Sequence, residues 1–326
     1  MAETEKSKEN SRELGGIDAT IKLVDEKYLS MMKSGQYQKI LDKMACFPAL
    51  TLRNALLVDM QNPEATEVKN MEAWNFVHRN IKENEKAMKI FVPVFEERYS
   101  TSETGRITRE KSNVIIGYRF GYVFDISQTE GKELERFQVN KKNAAELYEC
   151  FKSRILQEIL PGFEIHEEVH KVPFAEISLE RYVVTINKSL SPENKIKALV
   201  AETAAVLTKV EKPRNHREIE FEGIESAATA YIVTKRMGIP FKEVVDPSPL
   251  FRNDKEIENF KGNFYGIRSK VNRILTPYLE ACRDYEKQKE IEKQAMLNRA
   301  RNIEDPNIVI NYPVKEKEYE SMGASL

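Results

Sequence analysis

The chain has 326 residues, 41% of them hydrophobic and 9% aromatic, with 51 Lys and Arg against 52 Asp and Glu, a net charge of −1 at pH 7. That is enough for two ordinary domains with filled cores, and it excludes a chain too polar to fold. No apolar run reaches membrane-spanning length, and the start MAETEKSKENSREL is charged where a secretory signal would be apolar; three scattered cysteines (Cys46, Cys150, Cys282) suit neither a disulfide framework nor a cysteine zinc site, so the sequence reads as cytoplasmic with no membrane partner.

Residues 1–15 are polar and predict a disordered tail. From Asp18 to about Lys43, Ile21, Val24, Tyr28, Met31 and Met32 recur at helical spacing, and Gly35 predicts a break. The stretch PALTLRNALLVDMQNP predicts a short amphipathic helix between Pro48 and Pro63, and MEAWNFVHRN predicts another. Residues 87–97 and 113–129 are rich in β-branched and aromatic side chains and predict strands; the polar RYSTSETGRITREKS between them predicts a long exposed loop. The charged run after Gly131 predicts a linker, placing a domain at 16–135 and a second at 136–300, with a tail at 301–326.

In the second half a helix is predicted from about Ala144 to Leu160, stopped by Pro161-Gly162, with strands at FEIHEEV and RYVVTIN. In SLSPENKIKALVAETAAVLTKV, Ser191 is the expected N-cap and Pro192 the first helical residue. A further helix runs from about Glu218 to Met237, ending at Gly238, and a long charged helical stretch follows, with a bend expected at Pro277. The expected fold class is α+β.

Ala201-Glu202-Thr203-Ala204-Ala205 has the spacing of H-E-x-x-H with alanine at both ligand positions. Zinc hydrolysis needs three ligands and an open position for water, two of the ligands being set one helical turn apart and a carboxylate beside the first serving as general base. Ala201 and Ala205 hold the two vacated ligand positions and Glu202 the base position; an alanine-rich helix also yields A-E-x-x-A by chance. A rival H-E-E-V-H at His166 and His170 lacks the amphipathic helix needed to bring both imidazoles together.

With EGIESAATAYIV downstream, the arrangement resembles the ImmA/IrrE-like gluzincin peptidases, in which Glu225 would stand at the third-ligand position. Three segments of the first half resemble the ArdC/LtrC antirestriction family. They are TLRNALLVDMQNPEATEVKNMEAW, IKENEKAMKIFVPV with Asn84 in place of a glycine, and GYVFDISQTEG, the most specific. The resemblance covers roughly residues 35–240 and implies a single-stranded-DNA-binding first domain, a zincin-like metallopeptidase domain behind it, and a role on mobile elements in shielding DNA from restriction.

Neither half has a positive excess, since residues 1–150 carry 23 Lys and Arg against 24 Asp and Glu and residues 151–326 carry 28 against 28, so any DNA contact needs a local patch. Stacking and phosphate contacts point to Arg53, Asn54, Gln61, Trp74, Arg79, Lys86, Arg119 and Gln128, with Phe76, Tyr99, Tyr118 and Tyr122 as further rings and Arg106, Arg109 and Lys111 as further cations. The expected function is a single-stranded-DNA-binding antirestriction-type protein with a disabled zinc-peptidase domain and no cofactor, zinc being expected only if histidines occupy 201 and 205. Two other readings stay open: an active zinc endopeptidase represented by a double His-to-Ala variant, and a noncatalytic scaffold that holds a repressor or restriction-system protein.

Overall fold

A computed structural model describes residues 15–101, 107–134, 137–169, 174–209, 216–241 and 244–304. The predicted terminal tails therefore lie almost wholly outside the described residues, as do Arg106 and His170 and the side chains of Tyr99, Arg109 and Lys111. The elements mix helix and sheet. Helix α1 (Ile17–Lys33) buries Val24, Tyr28, Met31 and Met32. It stops where Gly35 takes φ 69°, a left-handed turn that lets Gln36 N–H donate back to Met31 O at 2.9 Å. Helices α2 (Tyr37–Cys46) and α3 (Leu52–Gln61) follow, the latter capped by Thr51.

Strands β3 (Met88–Thr101) and β4 (Ile107–Asp125) form an antiparallel ribbon, and the two-residue β1 (Val68–Lys69) pairs with the end of β4. The pairing Arg98↔Ser112, Tyr99↔Lys111 and Thr101↔Ile107 corrects the predicted exposed loop: most of it is strand. A two-stranded ribbon can carry polar residues on both faces, so the missing apolar alternation did not argue against pairing.

The sheet order β1-β4-β3 leaves the outer edge of β3 without a strand partner among the described residues. Helix α3 fills it with two side-chain amides. Asn54 donates to Phe91 O at 2.9 Å and accepts from Phe91 N–H at 2.8 Å; two turns on, Gln61 donates to Lys89 O and accepts from Lys89 N–H, both at 2.8 Å. Alternate strand residues turn their backbone groups to the same side, so one helix satisfies both.

A second polar knot closes the first half. Asp125, 2% exposed, accepts from Thr66 N–H, Glu67 N–H and Ser127 N–H, while Gln128 Oε1 accepts from Asp125 N–H and its amide donates to Lys86 O. Burial opposes the charge on Asp125, yet these donors hold its carboxyl below the usual carboxylate range. Strands β2 (Arg79–Ile81) and β5 (Thr129–Gly131) pair beside it. Gly131 has φ 128°, and a Cβ there would meet His78 O at 2.4 Å. Trp74, on the short helix α4 (Met71–Phe76), is fully buried and donates to Phe124 O at 2.9 Å.

The second half begins with α5 (Ala144–Glu158), followed by β6 (Glu164–Glu168), β7 (Ala175–Ser178) and β8 (Val183–Asn187) in the order β6-β8-β7, with β6 parallel and β7 antiparallel to the centre. Strand β7, only four residues long, was not among the predicted elements. Helices α6 (Pro192–Thr208), α7 (His216–Arg236), α8 (Asp254–Phe260) and α9 (Asn263–Glu304) follow, and α9 runs through Pro277.

Residues as far as Cys282 gather into one compact unit and those from Arg283 into a second. The predicted boundary at 135/136 does not part the first unit. Tyr28 Oη donates to Ile257 O at 3.0 Å, Ser248 Oγ to Met32 O at 2.6 Å, and Asp42 accepts from Tyr231 and pairs with Lys235. The second unit is helical as far as Glu304, with Ile291 and Met296 exposed.

Asn54→Ala would leave the N–H and C=O of Phe91 without partners on a covered edge. It is expected to cost about 2–4 kcal/mol by urea denaturation; a loss below about 0.5 kcal/mol would remove the clamp from the account of the fold.

Candidate functional site

Helix α6 starts as the sequence dictates, with Pro192 in its first turn and Ser191 Oγ accepting from Asn194 N–H at 3.4 Å. One turn apart, Ala201 and Ala205 face a cavity of about 590 Å³, whose other walls include Ile177 and Leu179 from the β7 side and Glu222, Ser226 and Ala227 of α7. Methyl groups carry no lone pair, so neither position can ligate a metal. Glu202 is half-buried beside them. Burial pushes its carboxyl above the ordinary carboxylate range, and the charge of Glu176 on β7 adds to the shift.

Glu225 turns elsewhere. Its carboxylate pairs with Lys270 of α9, and a Cβ at Gly266 would lie 2.6 Å from its Oε1, so this face of α7 packs against α9 while the Glu222 face lines the cavity. Glu225, the expected third-ligand position, is thus engaged by Lys270 and is not among the residues lining the cavity at Ala201 and Ala205, and no group of three His, Cys, Asp or Glu is placed to hold a metal among the described residues. His166 lies on strand β6 and contacts Glu164 at 2.9 Å, in a backbone that cannot form the one-turn H-E-x-x-H pairing.

The eight residues assigned to nucleic acid divide in two. Six are engaged within the fold. Asn54 and Gln61 clamp β3, Trp74 has no exposed face for stacking, and Gln128 completes the Asp125 knot. Arg79 donates to Thr129 Oγ1 at 2.7 Å and Lys132 O at 2.6 Å, and Arg53 grips Asp25 through Nε at 3.0 Å and Nη2 at 2.9 Å. Lys86 and Arg119 are exposed, and their side chains have no hydrogen-bond or ion-pair partner among the described residues, although the Lys86 carbonyl accepts from Gln128. Local sequence cannot tell an amide that meets DNA from one that meets a strand edge, and the structure shows Asn54 and Gln61 meeting a strand edge.

The ribbon offers a different feature. On β4 the spacing Tyr118, Phe120, Tyr122 sets three rings on one face, opposite Pro93, Phe91 and Lys89 of β3. Phe91 stacks on Phe120 with centroids 6.0 Å apart and meets Tyr118 edge-on at 6.3 Å; Lys89 Nζ sits 5.1 Å over Phe120. Tyr118, Tyr122 and Phe95 are 39%, 58% and 55% exposed. The row leads into a groove of about 740 Å³, walled on its far side by residues near the start of α9. The i, i+2, i+4 spacing was present in the sequence; the far wall, some 140 residues on, had no local signal.

No family model matches the chain, and no curated protein matches it in sequence. Among solved structures it is similar to the antirestriction protein ArdC of the R388 plasmid. The metal-free crystal structure aligns with a TM-score of 0.48 at 10% identity, covering 81% of this chain and 98% of that one. The Mn(II)-bound structure aligns with a TM-score of 0.45 at 10% identity, covering 80% and 97%.

Glu202 has a folded-state pKa raised above its unfolded value, so its contribution to stability is complete below the unfolded pKa and lost as pH rises through the folded one. Glu202→Gln is therefore expected to raise the melting temperature at pH 7 and to leave it unchanged near about pH 4, where the carboxyl is protonated in both states. Thermal melts at the two pH values read this, and destabilisation at pH 7 would contradict it.

Proposed function

We propose that the protein binds single-stranded DNA along the aromatic face of the β3–β4 ribbon, and that its second half is a peptidase-like scaffold that does not hydrolyse through zinc. The observation that carries the first part is the row of rings flanked by cations. Bases stack on aromatic faces regardless of sequence, and neighbouring Lys and Arg side chains hold the phosphates. Tyr118 and Tyr122 supply exposed rings, with Lys89 on the same face and Lys86 just before β3 as cations.

The second part is supported by side-chain chemistry. Ala201 and Ala205 have nothing to donate to a metal, and Glu225 is committed to Lys270. The antirestriction role and the tie to mobile elements rest on the likeness of VFDISQTEG and its companion segments to the ArdC/LtrC family. Asp125 and Gln128 work inside the fold, so that likeness speaks for a shared scaffold while the exposed rings speak for the activity. A repressor or restriction-system protein is the partner suited to the alanine-lined cavity, held without cleavage.

Two measurements test this reading. Tyr118→Ala with Tyr122→Ala should weaken binding of a fluorescent oligothymidylate by roughly 30-fold or more at low salt, with the fold retained by circular dichroism. Unchanged affinity would sink the stacking face. Elemental analysis of purified protein should find far less than one zinc per chain, and a full equivalent would overturn the noncatalytic reading.

A further inference from the structure

We infer that the single-strand site is composite: the start of α9 and the turn before it, in the second half of the chain, supply Lys261, Tyr265 and Arg268 as a second wall that receives an unpaired nucleotide from the ribbon. This rests on the ribbon reading above and extends it to residues about 140 positions away. The groove of about 740 Å³ between Phe95 and Tyr118 on one side and Tyr265 on the other has three cations in its lining, Arg53, Lys261 and Arg268, and no carboxylate. Its volume is that of a small-ligand pocket, which admits unpaired nucleotides and no duplex.

Asp25, behind the lining, organises the charge. It accepts both Nε and Nη2 of Arg53 and, at 2.9 Å, Lys261 Nζ, so two cations share one anion and the trio keeps a net charge of +1. Arg268 adds another charge. One of its Nη groups donates to Ala49 O at 3.1 Å, which fixes the guanidinium 5.7 Å from the Tyr265 ring centre and leaves other N–H donors for phosphate. Tyr265 is 72% exposed, a large ring that no core requires. Fixed cations beside exposed rings on both walls match alternating phosphate and base. An acidic peptide would use the cations but leave the rings idle.

The test uses the full chain and a fluorescent oligothymidylate in anisotropy titrations across a salt series. Tyr265→Ala should weaken binding roughly 5- to 150-fold, with Tyr265→Phe close to wild type. Arg268→Ala should weaken binding and lower the magnitude of the salt slope by about 0.7, the loss of one phosphate contact. Should Tyr118→Ala weaken binding while Tyr265→Ala and Arg268→Ala bind like wild type, the site ends at the ribbon and the composite site is refuted with the ribbon reading intact. Failure of the wild-type protein to bind at low salt would instead overturn the ribbon reading itself. Polyglutamate competing as well as oligothymidylate would overturn the nucleic-acid assignment. Photocrosslinking of an iododeoxyuridine oligonucleotide to Tyr265 supports the inference independently of any variant, and crosslinks confined to the ribbon count against it.

Discussion

The geometry of the first half depends on two side-chain amides standing in for a missing β-strand. Among the described residues strand β3 has a strand partner on one edge only, and an unpaired edge invites intermolecular pairing or leaves buried backbone groups without partners. Asn54 and Gln61 are seven residues apart, two helical turns, and reach Phe91 and Lys89, two residues apart on the strand. Each amide mimics a peptide group, with one donor and one acceptor offered together, and only Asn and Gln can do this. The clamp fixes both where α3 lies and how the ribbon leaves it, and so sets the row from Tyr122 to Phe95 at a defined angle to the groove.

Much of this was legible where a residue's local chemistry allows a single outcome. Gly35 ends a helix because a left-handed turn is needed there, and Ser191 with Pro192 starts one because the first N–H groups need a cap. The reading failed where the outcome depends on distant partners. Trp74 could be platform or core from its helix alone; the carbonyl of Phe124, fifty residues on, decides for core. Likewise the spacing from Ala201 to Glu225 suits a metal site, but helix rotation turns Glu222 to the cavity and Glu225 to Lys270. Strand β7 alternates apolar and polar residues over only four positions, too short a run to stand out, while the ribbon's outer part is too polar to advertise pairing.

The vacated position on α6 has its own physics. In a metal site a neighbouring carboxylate is held charged by the cation; without one, burial and a like charge both favour its protonated form. Glu202 shows that inverted balance: burial first, and then the charge of Glu176, favour its protonated form. The cavity around Ala201 and Ala205 is correspondingly apolar over most of its wall, with Ile177, Leu179 and Ala227 in place of an ordered polar shell. Such a hollow can receive an apolar side chain by burial alone.

A chain with net charge −1 must concentrate its cations to hold a polyanion, and the packing of the two halves does this without any basic run in the sequence. Lys261 and Arg268 are separated from Arg53 by some two hundred residues, yet the first 282 residues form one unit and bring the three to one groove. Asp25 lowers the net charge but limits the motion of two flexible side chains, so less conformational entropy is lost when phosphate arrives. Burial works against its negative charge, and the hydrogen bonds from Arg53 and Lys261 outweigh that, holding its carboxyl below the usual carboxylate range. The trio therefore stays ionised through neutral and mildly acidic conditions, and its net +1, with Arg268 beside it, persists wherever the fold does.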